Sequence, residues 1–315
     1  MKASLFMGLV TAVLLVCISF SVLVYGKDLN GELREAASEG NVDRVKALIE
    51  READVSAKGK GGMSALMIAA HKNHTEIART LIAHGADIRA HNEIGWTPLM
   101  FAANNGNIEI VRALLAANAD VKATNTDGWT PLIAAAGSQS PEILKALFEA
   151  GSPVNAKDNM GATALIWAAA AEDNVESVKV LLTMGANIDE QDKNGLTAFM
   201  LAAGLGNTDA AEALLAAGAD VNARNSIGQT TLMMAADDGN TDAVKVLISM
   251  GADVNARSEL GYTALMFGVN AGDADVVKVL MEAGADVNAK GNDGQTALKW
   301  AEEKGHTEII GLLKE

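Results

Sequence analysis

GWTPLMFAANNGNIEIVRALLAANADV, Gly95 to Val121, is the stretch that the rest of the chain copies. Its Thr97-Pro98-Leu99 returns as Thr130-Pro131-Leu132, and the threonine returns again at 163, 197, 230, 263 and 296, at spacings of 33, 33, 34, 33, 33 and 33 residues. Upstream, Ser64-Ala65-Leu66 lies 33 residues before Thr97, and Leu33 lies 33 before Leu66. About nine copies therefore occupy Leu29 to Glu315, and self-similarity at this period means a solenoid of stacked supersecondary units.

The chemistry of one copy predicts its form. Threonine accepts a backbone N–H as N-cap, and proline at the first helical position removes no donor that is needed. A first helix is expected from there, with Leu99, Ala102 and Ala103 on one narrow apolar stripe. Gly106-Asn107 breaks it and offers a new cap. A second helix follows through Ile108, Ile110, Val111, Leu114 and Leu115, stopping near Asn118. Most copies carry glycine at that stop (Gly85, Gly151, Gly185, Gly218, Gly251, Gly284), which fits a left-handed residue that asparagine also tolerates. The segment Ala-Asp-Val-Asn-Ala and a turn ending in glycine then lead to the next threonine.

This period, the Thr-Pro-Leu helix start, the Gly-Asn break and the Gly-Ala-Asp-Val-Asn-Ala ending resemble the ankyrin repeat over almost the whole chain after residue 28. The resemblance implies an all-α solenoid of about nine helix-turn-helix repeats with short β-hairpin-like turns. It also implies protein binding on a concave face built from turn tips and the exposed ends of the first helices. One feature departs from the family. Where its motif usually has histidine after Thr-Pro-Leu, this chain has Met67, Met100, Ile133, Ile166, Met200, Met233, Met266 and Lys299, so apolar packing is expected between repeats there.

Composition agrees with a stack of small units. Hydrophobic residues make up 49% and aromatics only 4%, as suits helices packed through alanine, leucine and valine. A repeat array has no single-core size limit, because each unit touches only its neighbours. The end copies carry polar faces, Glu32 to Glu50 in the first and Lys299 to Lys314 in the last, and capping repeats are assigned to residues 29–61 and 294–315. In the fourth copy Gly137-Ser138-Gln139-Ser140 precedes Pro141, with Ser140 as the expected cap. The fifth carries one additional residue in Ala170 to Asn174, expected in the turn between its helices.

Residues 1–26 are different material. Lys2 precedes an uncharged run from Ala3 to Tyr25, which reads as a signal peptide, or as an uncleaved membrane anchor, since its length also suffices to span a bilayer. Either reading places residues 27–315 outside the cytoplasm, periplasmic or extracellular, with membrane association only if the leader stays. Cys17, the sole cysteine, lies in this leader, so no disulfide ties the repeats.

Function classes narrow accordingly. The net charge of −15 argues against nucleic acid as partner. His71, His74, His84 and His91 crowd into one region, but His74 and His84 bracket a helix and stand about 15 Å apart at 1.5 Å per residue, too far to share a metal. Asp237-Asp238 and Glu302-Glu303 are adjacent pairs that diverge by about 100° on a helix, so neither forms a dyad. No phosphate loop or metalloprotease motif is present. No enzyme, metal or cofactor is expected, and a monomer is.

Binding has a residue basis. The position before the threonine holds Met63, Trp96, Trp129, Leu196 and Tyr262 in five copies, and the turn tips hold Ile94, Met160, Ile227 and Leu260. Folding needs no large apolar groups at water-facing turns, and tryptophan and tyrosine are favoured interface anchors. These nine are the candidate partner-binding residues, with Trp96 expected to align with Trp129. Phe101, Trp167, Phe267 and Trp300, two residues beyond the motif leucine, are assigned to the core.

Overall fold

The computed structural model describes residues 28–314, and the leader assignment at 1–26 lies outside the described residues. Among the described residues there are eighteen α-helices and no strand, arranged as nine pairs. The pairs begin with Leu29–Glu39 and Val42–Glu50, continue as Ala65–His71 with Thr75–Ala83, and end with Ala297–Lys304 and Thr307–Leu312. No helix here is long and apolar enough to cross a membrane. The chain divides into two compact units, one ending at Pro98 and one beginning at Leu99.

Helices of six to eleven residues are too short to be stable alone in water, so packing must hold them. In the first unit Leu29–Glu39 packs on Ala65–His71, and Val42–Glu50 on Thr75–Ala83. Leu33, Leu48, Leu66, Ile77 and Leu81 form its fully buried core. The second unit repeats this rule: first helices pack on first helices, second on second, with alanines such as Ala102, Ala135, Ala168 and Ala202 allowing close approach. One leucine of each second helix but the last is sealed, Leu114, Leu147, Leu181, Leu214, Leu247 and Leu280 each at most 1% exposed, and in Thr307–Leu312 the sealed residue is Ile309. Full burial of such a side chain contributes about 1.5–3 kcal/mol.

The expected caps form. The threonine hydroxyls at 130, 163, 197, 230 and 296 accept the backbone N–H three residues on, at 3.2–3.4 Å, and Ser64 does so in the second copy. Thr263 makes no such bond. Asn107 Oδ1 accepts from Ile110 N at 3.0 Å and opens the second helix of its copy. At the helix stops, Asn118 has φ of +62° and the glycines are likewise left-handed, while in the first copy Glu52 takes φ of +65° in glycine's place. The methionines and isoleucines in the usual histidine position, Met67, Met100, Ile133, Ile166, Met200, Met233 and Met266, are at most 3% exposed, so this contact is apolar, whereas Lys299 is exposed.

Both irregular copies are resolved in detail. The additional residue falls in the turn between Ala164–Ala170 and Val175–Thr183, as expected. Buried Asn174 closes that turn, its Nδ2 donating to Ala136 O at 2.7 Å and Ala168 O at 3.2 Å, so one side chain joins the fourth copy to the fifth. In the fourth copy Pro141 does begin the second helix, but Ser140 is not its side-chain cap. The Ser140 hydroxyl instead donates to Ser138 O at 3.2 Å, drawn inward by the left-handed Gln139 between them.

Candidate functional site

The turn tips are built around one recurring acceptor that sequence reasoning missed. Four residues before each turn residue stands Asn92, Asn125, Asp158, Asp192 or Asn225. In each tip its side-chain oxygen takes two backbone N–H groups: Asn92 from Ile94 and Trp96, Asn125 from Asp127 and Trp129, Asp158 from Met160 and Ala162, Asp192 from Asn194 and Leu196, Asn225 from Ile227 and Gln229. In the eighth copy Ser258 Oγ accepts from Tyr262 N at 3.1 Å. The signal was legible, because these residues recur at the same period as the threonines.

Backbone bonds complete each tip in the pattern of a short hairpin, as in Asn125 N to Trp129 O at 3.1 Å and Ser258 N to Tyr262 O at 2.9 Å. Neighbouring tips are also joined. Within the second unit, Asn159 N donates to Asp127 O, Lys193 N to Met160 O, Ser226 N to Asn194 O and Asn292 N to Leu260 O, all at 2.8–2.9 Å. In the first unit Glu93 N donates to Gly61 O at 3.0 Å. Within each unit, neighbouring tips are therefore bonded to one another at these points and are not independent loops.

On this frame the candidate residues fall as follows. Ile94, Met160, Ile227 and Leu260 stand 53–62% exposed at the tips. Of the six large apolar residues most exposed among the described residues, these four share one turn position; only Phe148 and Leu205 lie elsewhere. Met63, Trp96, Trp129, Leu196 and Tyr262 are half-buried at the base of the turns. Met63, Ile94 and Trp96 belong to the first unit and the other six to the second.

Phe101, Trp167, Phe267 and Trp300 are not core. All four are half-buried, and three of them are ring partners of turn residues. Trp129 lies 5.0 Å from Trp167, Tyr262 lies 4.8 Å from Trp300, and Tyr262 lies 6.3 Å from Phe267 within its own copy. The reason is angular: a residue two beyond the motif leucine is turned by about 200° from it, on the side away from the alanine stripe. A turn residue of one copy thus meets the first helix of the next, a partnership that the expected pairing of like residues did not include.

Polar groups fix these rings. Trp167 Nε1 donates to Asp158 Oδ2 at 2.8 Å, so one buried carboxylate holds both its own tip and the indole. Tyr262 donates its hydroxyl to Asp293 Oδ2 at 2.8 Å. That bond, with desolvation added, raises the Tyr262 phenol above its usual range. Asp293 is lowered, first by the backbone N–H of Gln295 and then by Tyr262. Ile227, Gln229, Ser258, Glu259, Leu260, Tyr262, Phe267, Asn270 and Trp300 line a groove of about 440 Å³ between the last tips.

The histidine and carboxylate candidates make structural contacts. His74 lies over Gly40 and its Nε2 sits 3.4 Å from Ser38 O, a structural contact between copies. Among the described residues no three His, Cys, Asp or Glu side chains are grouped to hold a metal. Asp237 Oδ1 accepts from Asn270 Nδ2 at 2.9 Å across copies.

The family model for ankyrin repeats, in three copies, matches residues 33–125, 114–192, 168–258 and 232–315. The chain is an ankyrin-repeat protein. A search of curated proteins gave no significant match. Ankyrin repeats are protein-interaction modules, typically without enzymatic activity, and this ankyrin array presents its large exposed apolar groups where such a module has its turn tips.

Proposed function

We propose that this ankyrin array is an exported, non-catalytic binding module that takes a protein partner across its turn tips and the adjoining first-helix face. The observation that carries this is the exposure of Ile94, Met160, Ile227 and Leu260 at a single turn position. Apolar groups that contribute nothing to the core, recurring at one repeat position near half-buried aromatics, are what an interface uses and a merely solvated surface lacks. The bonds between neighbouring tips within each unit add a mechanism. A surface already ordered before docking loses little conformational entropy on binding, so more of the contact energy appears as affinity.

Export is proposed from the uncharged run at residues 3–25 behind Lys2, which places the array in the periplasm or outside the cell. The length of that run favours one further reading, a scaffold tethered to the membrane by an uncleaved helix. The mass of the mature N-terminus separates the two: a start near Val22 or Lys27 eliminates the tether.

Affinity capture from envelope extract tests the face itself. The parent chain is compared with Ile227→Asp/Leu260→Asp and with a control bearing Glu142→Ala on a second helix, all checked for equal helicity. A protein retained by parent and control and lost by the double variant supports the reading. Equal retention by all three places the interface elsewhere.

A further inference from the structure

The groove at the last tips has a chemistry of its own. Tyr262, Phe267 and Trp300 wall it with rings inclined at 63° and 83° to the tyrosine, while Ile227 and Leu260 form an aliphatic shoulder 59% and 62% exposed. Carboxylates surround the rings. Glu259 lines the groove directly, Asp293 binds the Tyr262 hydroxyl, and Asp237 binds the side chain of Asn270, which also lines it. The cations nearby are turned onto backbone: Arg224 donates to Gly228 O at 3.0 Å and to Arg257 O, Arg257 to Lys290 O at 2.5 Å, and Lys299 Nζ to Gly294 O at 3.4 Å.

Ring faces carry negative potential, and a carboxylate rim adds to it, so the hollow favours a cation that is easily desolvated. Arginine fits better than lysine. Its planar guanidinium stacks on aromatic faces while forking onto a carboxylate, and it holds its water less tightly. A volume of about 440 Å³ accommodates one long side chain and part of its neighbour.

Resting on the reading of this face as the docking surface, we propose that the groove takes an arginine side chain from an extended basic segment of the protein partner. The guanidinium lies against Tyr262 and Trp300 within reach of Glu259, and an aliphatic neighbour of that arginine rests on Ile227 and Leu260. The net charge of −15 draws such a segment toward the array before contact.

The probe is a phage-displayed library of random peptides about ten residues long, selected on the full chain; the winning sequence is then synthesised with arginine and with citrulline, its neutral isostere. Selected peptides should carry arginine beside an aliphatic residue. Citrulline should weaken binding by about tenfold or more, and Glu259→Gln and Trp300→Ala should each weaken the arginine peptide and narrow its advantage over citrulline. Cation-free winners, equal affinity of the citrulline peptide, or no enrichment at all overturn the arginine assignment. If cation-free winners are still lost on Ile227→Asp/Leu260→Asp, the face stands and only its ligand is wrong. If winners bind that variant as well as the parent, the docking face itself falls.

Discussion

Replacing Asp158 by alanine tests the central structural claim, that one side chain holds a tip and a neighbouring indole together. Asp158 is 7% exposed, and its two oxygens accept three hydrogen bonds, from Met160 N at 2.8 Å, Ala162 N at 2.9 Å and Trp167 Nε1 at 2.8 Å. Alanine leaves three donors without their acceptor. A buried donor left unsatisfied costs about 1–3 kcal/mol, but Met160 is exposed and Trp167 half-buried, so water recovers part of the loss. A net cost of about 3 kcal/mol follows, or roughly 6–12 °C in melting temperature for a unit of this size. Asp158→Asn is the discriminating control. Its amide oxygen still accepts the two backbone groups, as Asn92, Asn125 and Asn225 do, but its NH₂ then faces the indole N–H, donor against donor. The expected cost is about 1–2 kcal/mol, with a changed near-ultraviolet signal from Trp167. Thermal and urea unfolding followed by circular dichroism give the comparison. An alanine variant that melts within about 1 °C of the parent, or an asparagine variant as damaged as the alanine one, refutes the reasoning.

Two further outcomes are expected. Asn174→Ala removes the donor to Ala136 O and Ala168 O inside the fifth copy's longer turn; Ala168 O keeps the backbone N–H of Ala171 at 3.3 Å, so the cost falls on the bond to Ala136 O that joins the two copies, and a loss of about 1–2 kcal/mol should appear as a lower urea midpoint, whereas an unchanged midpoint would show that the turn is held otherwise. The Tyr262–Asp293 bond is linked to pH from both ends. Its contribution through Tyr262, raised above 10.0, is complete below that value and lost as pH rises through the folded phenol's pKa; its contribution through Asp293, lowered from 3.8, is present above 3.8 and lost as pH falls through the folded carboxyl's pKa. Ultraviolet titration of residues 27–315, whose one tyrosine is Tyr262, should therefore show the phenol ionising later than in Asp293→Ala, and the same midpoint in both would contradict the assignment.

Much of this was legible without coordinates. The threonine caps, the left-handed stops at Asn118 and the glycines, the apolar substitutes for histidine and the place of the extra residue all follow from properties that act within a few residues of chain. The tip acceptors Asn92, Asn125, Asp158, Asp192 and Asn225 were legible too, as a period-matched row, and were overlooked because polar turn residues are so common. Phe101, Trp167, Phe267 and Trp300 were misassigned because hydrophobicity was read without their angle on the helix.

Sequence alone determined the repeat, its helices and the ends of those helices, since caps, breaks and apolar spacing are local and recur nine times. Tertiary structure alone decided which turn residue meets which helix. Trp129 on Trp167 and Tyr262 on Trp300 depend on the offset of one copy against the next, and that offset is set by how side chains interdigitate across the stack, a property no single copy contains.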